Sequence, residues 1–195
     1  MTKIKNFRIT LRPRDMARWL KKERGLETTP ELEVAIEQIA KSSRALIDTA
    51  AIYTTLPRQV AEKTTPFEFP KKAIATTLIA VSIGPAVETQ RSQATDPHQE
   101  SLLAALHHEA LAQSLNFVMR LAQDQAKEED CDLSPVISAA DILTATTVAT
   151  LLGVPRIGID VDTAHSDIPS HARLAWLFWT PIGKGASRRA EKVAA

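Results

Sequence analysis

His107, His108 and Glu109 stand side by side, three groups that bind protons and metal ions. Consecutive side chains on a helix point about 100° apart, so the two histidines cannot share one ion. A zinc-protease pattern needs its second histidine one turn after the first, and Ala112 occupies that place. They read as structural or surface histidines. A second set comprises Asp160, Asp162, His165 and His171, with the two histidines flanking Ile168-Pro169. Asp160 and Asp162 share one face of an expected strand, because strand side chains alternate. Four such groups could assemble a cation site; a solvated strand face beside loop histidines is the expectation, and no metal is assigned. Cys131 lies between Asp130 and Asp132, whose charges oppose the thiolate a nucleophile needs.

The usual catalytic signatures are missing. The chain has no G-x-G-x-x-G, no G-x-x-x-x-G-K-[ST] and no G-x-S-x-G, and Gly183-Lys184-Gly185 lacks the preceding loop that cradles a phosphate. No catalytic residue is expected on these grounds.

The elements that must carry these groups can be read from periodicity. Lys3 to Leu11 alternates like a short strand ending at Pro13, and a helix is expected from Asp15 to Arg24, stopped by Gly25. Thr29-Pro30 is a helix start, since the hydroxyl caps free N–H groups and proline has none to waste. Leu32, Ile36, Ile39, Ala40, Ser43, Leu46 and Ile47 then form the apolar stripe. Ala51-Ile52-Tyr53 and Phe67-Glu68-Phe69 read as short extended pieces. The apolar, β-branched run Ile74 to Ile83, ended by Gly84-Pro85, predicts a buried strand over at least its second half. The longest helical pattern, Gln99 to Ala126, should be the central core helix, and another helix is expected from Ala139 to Leu152, ended by Gly153 and Pro155. Strands over Ile157 to Thr163 and Ala172 to Thr180 complete the pattern. Helices and strands mix without a regular βαβ beat, so the expected class is α+β, a mainly antiparallel twisted sheet flanked by helices. Residues 1–182 read as one domain and 183–195 as a flexible tail.

With 195 residues, 44% hydrophobic and 24% charged, and a net charge of +1, the chain has the balance of a globular domain that needs no disulfide or metal staple. The single cysteine suggests a reducing compartment, the cytoplasm by default. No stretch approaches the ~20 apolar residues of a membrane span. Residues 1–26 hold nine basic against two acidic side chains. Such a segment can contact nucleic acid or an acidic protein. Without aromatic interleaving or a zinc or recognition-helix pattern it reads as a solvated face, and nucleic acid is not expected as a partner.

Four landmarks, in order, resemble the S-adenosylmethionine-binding activation domain of cobalamin-dependent methionine synthase and its short stand-alone relatives. Ser82-Ile83-Gly84-Pro85-Ala86-Val87-Glu88 is similar to the family's threonine-isoleucine-glycine-proline-glutamate turn. His108-Glu109-Ala110-Leu111-Ala112-Gln113 resembles its helix with a ligand-facing glutamate. Leu133-Ser134-Pro135 sits where the family carries its ligand loop, and Ile168-Pro169 through Ala175-Trp176-Leu177-Phe178 resembles the closing turn and aromatic strand. The family's loop reads arginine, three residues, glycine, tyrosine; here Asp132, Val136 and Ile137 stand at those places. An aspartate repels the carboxylate that the arginine would clamp, and valine prevents close backbone approach.

The resemblance implies the fold, and it implies three functions. The first, preferred on the missing arginine, is an accessory protein that docks on a corrinoid (vitamin B12) protein or methionine synthase core in methyl transfer or cofactor reactivation. S-adenosylmethionine binding is then lost or remodelled, and cobalamin is met only through the partner. Docking is expected through Asp132, Val136, Ile137 and Ser138, with Trp176 and Trp179 at the strand end. The second is active S-adenosylmethionine-dependent reductive methylation, with Glu109 and groups around Ser134 and Pro135 holding the methyl donor and Arg173 replacing the missing cation. The third is an assembly subunit that uses the basic first 26 residues.

Overall fold

A computed structural model describes residues 1–139, 141–161 and 168–183. The chain forms strand β1 (Thr2–Lys5), helices α1 (Pro13–Arg24) and α2 (Pro30–Ser42), β2 (Ala50–Pro57), α3 (Arg58–Thr64), β3 (Ala75–Ser82), α4 (Ala86–Ser92), α5 (Pro97–Glu128), β4 (Cys131–Leu133), β5 (Ile137–Ser138), α6 (Ile142–Leu152) and β6 (Ala172–Pro181). The six strands form one antiparallel sheet in the order β1-β2-β3-β6-β4, and β5 pairs with β6 beside β4. The class is α+β, an antiparallel sheet flanked by helices, as the pattern of elements predicts.

Strand alternation sorts the core into two layers. Ala51, Tyr53, Ile79, Val81, Ala175, Leu177 and Trp179 face α5 and meet its Ala110, Leu111, Leu115 and Val118. Ala50, Ile52, Leu78, Ala80 and Leu174 face the other way and meet Ala145, Val148 and Leu152 of α6. A third cluster joins α1, α2 and α4 to the first half of α5 through Met16, Leu20, Ile36, Val87, Leu103 and Leu106. The 32-residue α5 thus covers the sheet with one part and holds the helical layer with the other. Its start is fixed by Asp96, whose carboxylate accepts from the His98 N–H, and by Pro97 in the first turn. Thr29 caps α2 as expected, its hydroxyl accepting from the Leu32 N–H.

Five expected elements change. The helix expected to carry its stripe through Leu46 and Ile47 ends at Ser42, and Ser43–Leu46 form a 3-10 turn. The first strand stops at Lys5 because Asn6 turns to φ 54° and donates its N–H to the Thr49 carbonyl. The helix expected from Ala139 begins at Ile142: the Ala139 N–H is drawn to the Leu174 carbonyl of β6, and Asp141 caps the helix through the Thr144 N–H at 2.8 Å. The strand expected from Ile157 does not form over its described residues. Instead Val154–Ile157 is a 3-10 turn between Gly153 and Gly158, both left-handed, and Ile157 and Ile159 tuck under the α6 side of the sheet. Phe67-Glu68-Phe69 forms no strand; Phe67 stacks on Trp176 with ring centres 4.2 Å apart, and Phe69 meets Phe178 edge-on. Thr163 and residues 184–195 of the expected tail lie outside the described residues.

Candidate functional site

Glu109 is 4% exposed on α5, not solvent-facing as a glutamate on a long helix commonly is. Its Oε1 accepts two hydrogen bonds. One comes from Gln113 Nε2, one helical turn on, at 2.8 Å; the other comes from the backbone N–H of Arg12, 97 residues away, at 3.1 Å. Arg12 stands just before α1 in extended conformation, φ −112°, as its neighbour Pro13 favours. The stretch before it is held on α5 by Phe7, which stacks on Phe117 at 4.3 Å and 8°. Burial pushes the Glu109 carboxyl above the ordinary carboxylate range, with the Gln113 and Arg12 N–H donors and the Arg12 charge pulling the other way and Asp15 adding to the rise.

Two grooves meet here and share Arg12, Gln113 and Asn116. One, about 360 Å³, runs along α5 past Met119, Arg120 and Gln123 to Leu133 and Ser134. The other, about 400 Å³, is lined by Glu109, Ala112, His108, Trp19 and the charged side of α1. Trp19 stacks on His108 at 5.5 Å, forming an aromatic wall. Together they offer a carboxylate, guanidinium groups, side-chain amides and aromatic faces along one helix. That is a lining suited to a zwitterion joined to a flat heterocycle. A larger groove, about 550 Å³ between α1 and α2, brings together Arg14, Arg18, Glu33 and Glu37 without a comparable buried anchor.

The segment after β4 is tied to β6. The Ser134 N–H donates to the Phe178 carbonyl at 2.9 Å, and Ser134 Oγ accepts from the Phe178 N–H at 2.9 Å. The Ser134 N–H is therefore already taken, and Ser134 contributes to the groove as part of its wall. Pro135 is exposed and lines neither groove. Asp132 pairs with Thr180 and Leu133 with Trp179; alternation turns Leu133 to the α5 side and Asp132 to the opposite one. The Asp132 side chain thus stands away from the groove.

Arg173 pairs with Val81 in the sheet, five residues along β6 from Phe178, a distance of about 17 Å along a strand. It lines neither groove. Its charge acts on His107 and His108, whose protonation burial already disfavours. The structure does not bring it to Ser134. Arg12 and Arg120 line the groove instead, and sequence reasoning missed both. Arg12 is one of nine cations in its segment, and only the long-range bond to Glu109 singles it out.

The expected docking residues divide between two faces. Ile137 lies opposite Trp176 on the α6 side and is 39% exposed, and Ser138 beside it is exposed. Val136 is half-buried against the α5-side core, and Trp179 is 3% exposed with its Nε1 donating to Thr77 Oγ1 at 2.7 Å. Trp179 is a core residue and offers no docking surface. Of the cation-site alternative, Asp162 and His165 lie outside the described residues and Asp160 is not on a strand; among the described residues no group of three His, Cys, Asp or Glu side chains is arranged for a metal. Cys131 is buried, its thiol pushed up by burial and by Glu129, Asp130 and Asp132. No described helix is long and apolar enough to cross a membrane.

No protein-family model and no curated protein matches the chain. Solved structures do. The crystal structure of the MetH reactivation domain bound to AdoHcy superposes with a TM-score of 0.61 at 11% identity, covering 94% of this chain and 79% of that one. The chain therefore shares the fold of the MetH reactivation domain, a six-stranded antiparallel sheet between helical layers.

Proposed function

We propose that this protein binds an S-adenosylmethionine-class ligand in the grooves along α5 and serves a corrinoid protein in methyl transfer or cofactor reactivation. The observation that carries the ligand is Glu109, a buried carboxylate that lines the α1-side groove and is hydrogen-bonded to Gln113 and Arg12, two residues that both grooves share. A carboxylate there answers the ammonium and sulfonium charges of such a ligand. The similar fold of a domain bound to AdoHcy supports the same class. The preference for docking alone rested on a missing cation and an aspartate in its place. Arg12 and Arg120 line the groove and Asp132 faces away from it, which supports a bound ligand over docking alone. In this reading the protein contributes orientation of the methyl donor, and no side chain does covalent work.

Titration calorimetry and thermal unfolding with S-adenosylmethionine and AdoHcy test it. Ligand at 100 times its dissociation constant adds about 2.7 kcal/mol to the native state. The expected result is heat of binding and a raised midpoint for the wild type, with both abolished in Glu109→Gln. Silence at millimolar ligand ends the reading.

The docking-only reading keeps one observation of its own. Ile137, 39% exposed on the outermost strand, and Leu143, 68% exposed at the start of α6, leave apolar surface uncovered. Capture of a corrinoid-binding protein that Ile137→Lys weakens, by a chain giving no heat with either ligand, would favour it.

A further inference from the structure

The ligand class proposed above ends in an α-amino acid, whose ammonium and carboxylate sit on a single carbon. A site that holds both needs an anion and a cation close together. Glu109 is the anion, and four arginines are weighed as the cation. Arg18 lines the α1 side of the same groove, but its guanidinium is taken by Asp15 at 3.1 Å. Arg173 lines neither groove. Arg120 lies farther along α5, with its Nε directed to the Asn116 carbonyl at 3.4 Å. Arg12 is attached to Glu109 by its own backbone, through the 3.1 Å bond to Oε1, so its side chain springs from beside that carboxylate.

The guanidinium of Arg12 has its donors to spare. Its approach to Asp15 is 3.7 Å, longer than a hydrogen bond, while Arg18 holds the same carboxylate at 3.1 Å. Among the described residues the Arg12 side chain donates no hydrogen bond, and it is 60% exposed where the two grooves join. A planar fork of N–H donors matches a carboxylate, and charge-assisted pairs of this kind are the stronger hydrogen bonds. We infer that Arg12 grips the α-carboxylate of the ligand while Glu109 takes its ammonium, so that a cation before α1 does the work of the arginine absent from the loop after β4. This rests on the ligand reading and adds to it a specificity: selection for the intact amino-acid end.

Calorimetry on the full chain with two probes tests it. AdoHcy carries the amino-acid end; 5′-methylthioadenosine keeps the adenosine and thioether without it. The wild type should prefer AdoHcy by roughly tenfold or more. Arg12→Gln should lower AdoHcy affinity by about tenfold and leave 5′-methylthioadenosine within about twofold, and Arg12→Lys should restore part of the loss. Because the backbone N–H survives both substitutions, the Glu109 contact is kept. Unchanged AdoHcy affinity in Arg12→Gln overturns the assignment, as does equal loss of both probes, or selective loss in Arg120→Gln instead. A wild type that binds neither probe overturns the ligand reading itself, whereas a wild type that binds AdoHcy beside an indifferent Arg12→Gln overturns only the role of Arg12.

Discussion

Glu109 and His107 are two residues apart on α5 and respond to pH in opposite ways. Burial raises the Glu109 carboxyl above 4.5, so the native state holds a proton there more firmly than the unfolded chain. The stability this contributes is complete below pH 4.5 and is lost as pH rises through the raised value. Glu109→Gln carries no charge at any pH and can still accept from Gln113 and Arg12. It should unfold at a higher temperature than wild type near neutral pH, with the advantage vanishing in acid, while binding is lost. Stability gained at the expense of binding marks a group kept for its ligand. His107 is the converse. Burial lowers its pKa below 6.5, opposed by Glu88 of α4 and reinforced by Arg91, His171 and Arg173. Its stabilising contribution is therefore present above pH 6.5 and lost as pH falls through the lowered value. Acid titration of the unfolding free energy should fall less steeply below pH 6.5 in His107→Gln than in wild type.

At the scale of elements, caps and turns decide where helices and strands begin and end. The start of α6 rests on the Asp141 cap, 2.8 Å from the Thr144 N–H. Asp141→Ala should cost about 1 kcal/mol in chemical unfolding, the usual loss for such a cap. The turn after β3 needs Gly84 at φ 71°, where a Cβ would also lie 3.2 Å from that of Asp48. Signals of this kind are local and could be read in advance: Thr29-Pro30 and Gly153 each do what their chemistry requires. The strand expected at Ile157 was not legible in this way. Its residues have β-branched character, but two left-handed glycines turn the chain and burial under α6 is satisfied without pairing.

For the molecule as a whole, β3 is the strand on which both layers close. Leu78 and Ile79 are each 0% exposed and face opposite sides, one toward α6 and one toward α5. Truncating either to alanine should cost about 2–5 kcal/mol in denaturant unfolding, because neither face of this strand has solvent to relax into. A small effect at Leu78 would mean that α6 does not seal its side of the sheet. The same two-sided burial explains the apolar run Leu78 to Val81 in the sequence. Amino-acid order alone determined the class, the long central helix, the cap of α2 and the buried strand, since periodicity and capping act between residues close in the chain. Only the tertiary structure decided which residues gather at the candidate site. It turned Asp132 away from the groove by strand parity, buried Trp179, left Arg173 remote and set Arg12 against Glu109. Contacts across 97 residues depend on how layers stack, and no local pattern records them.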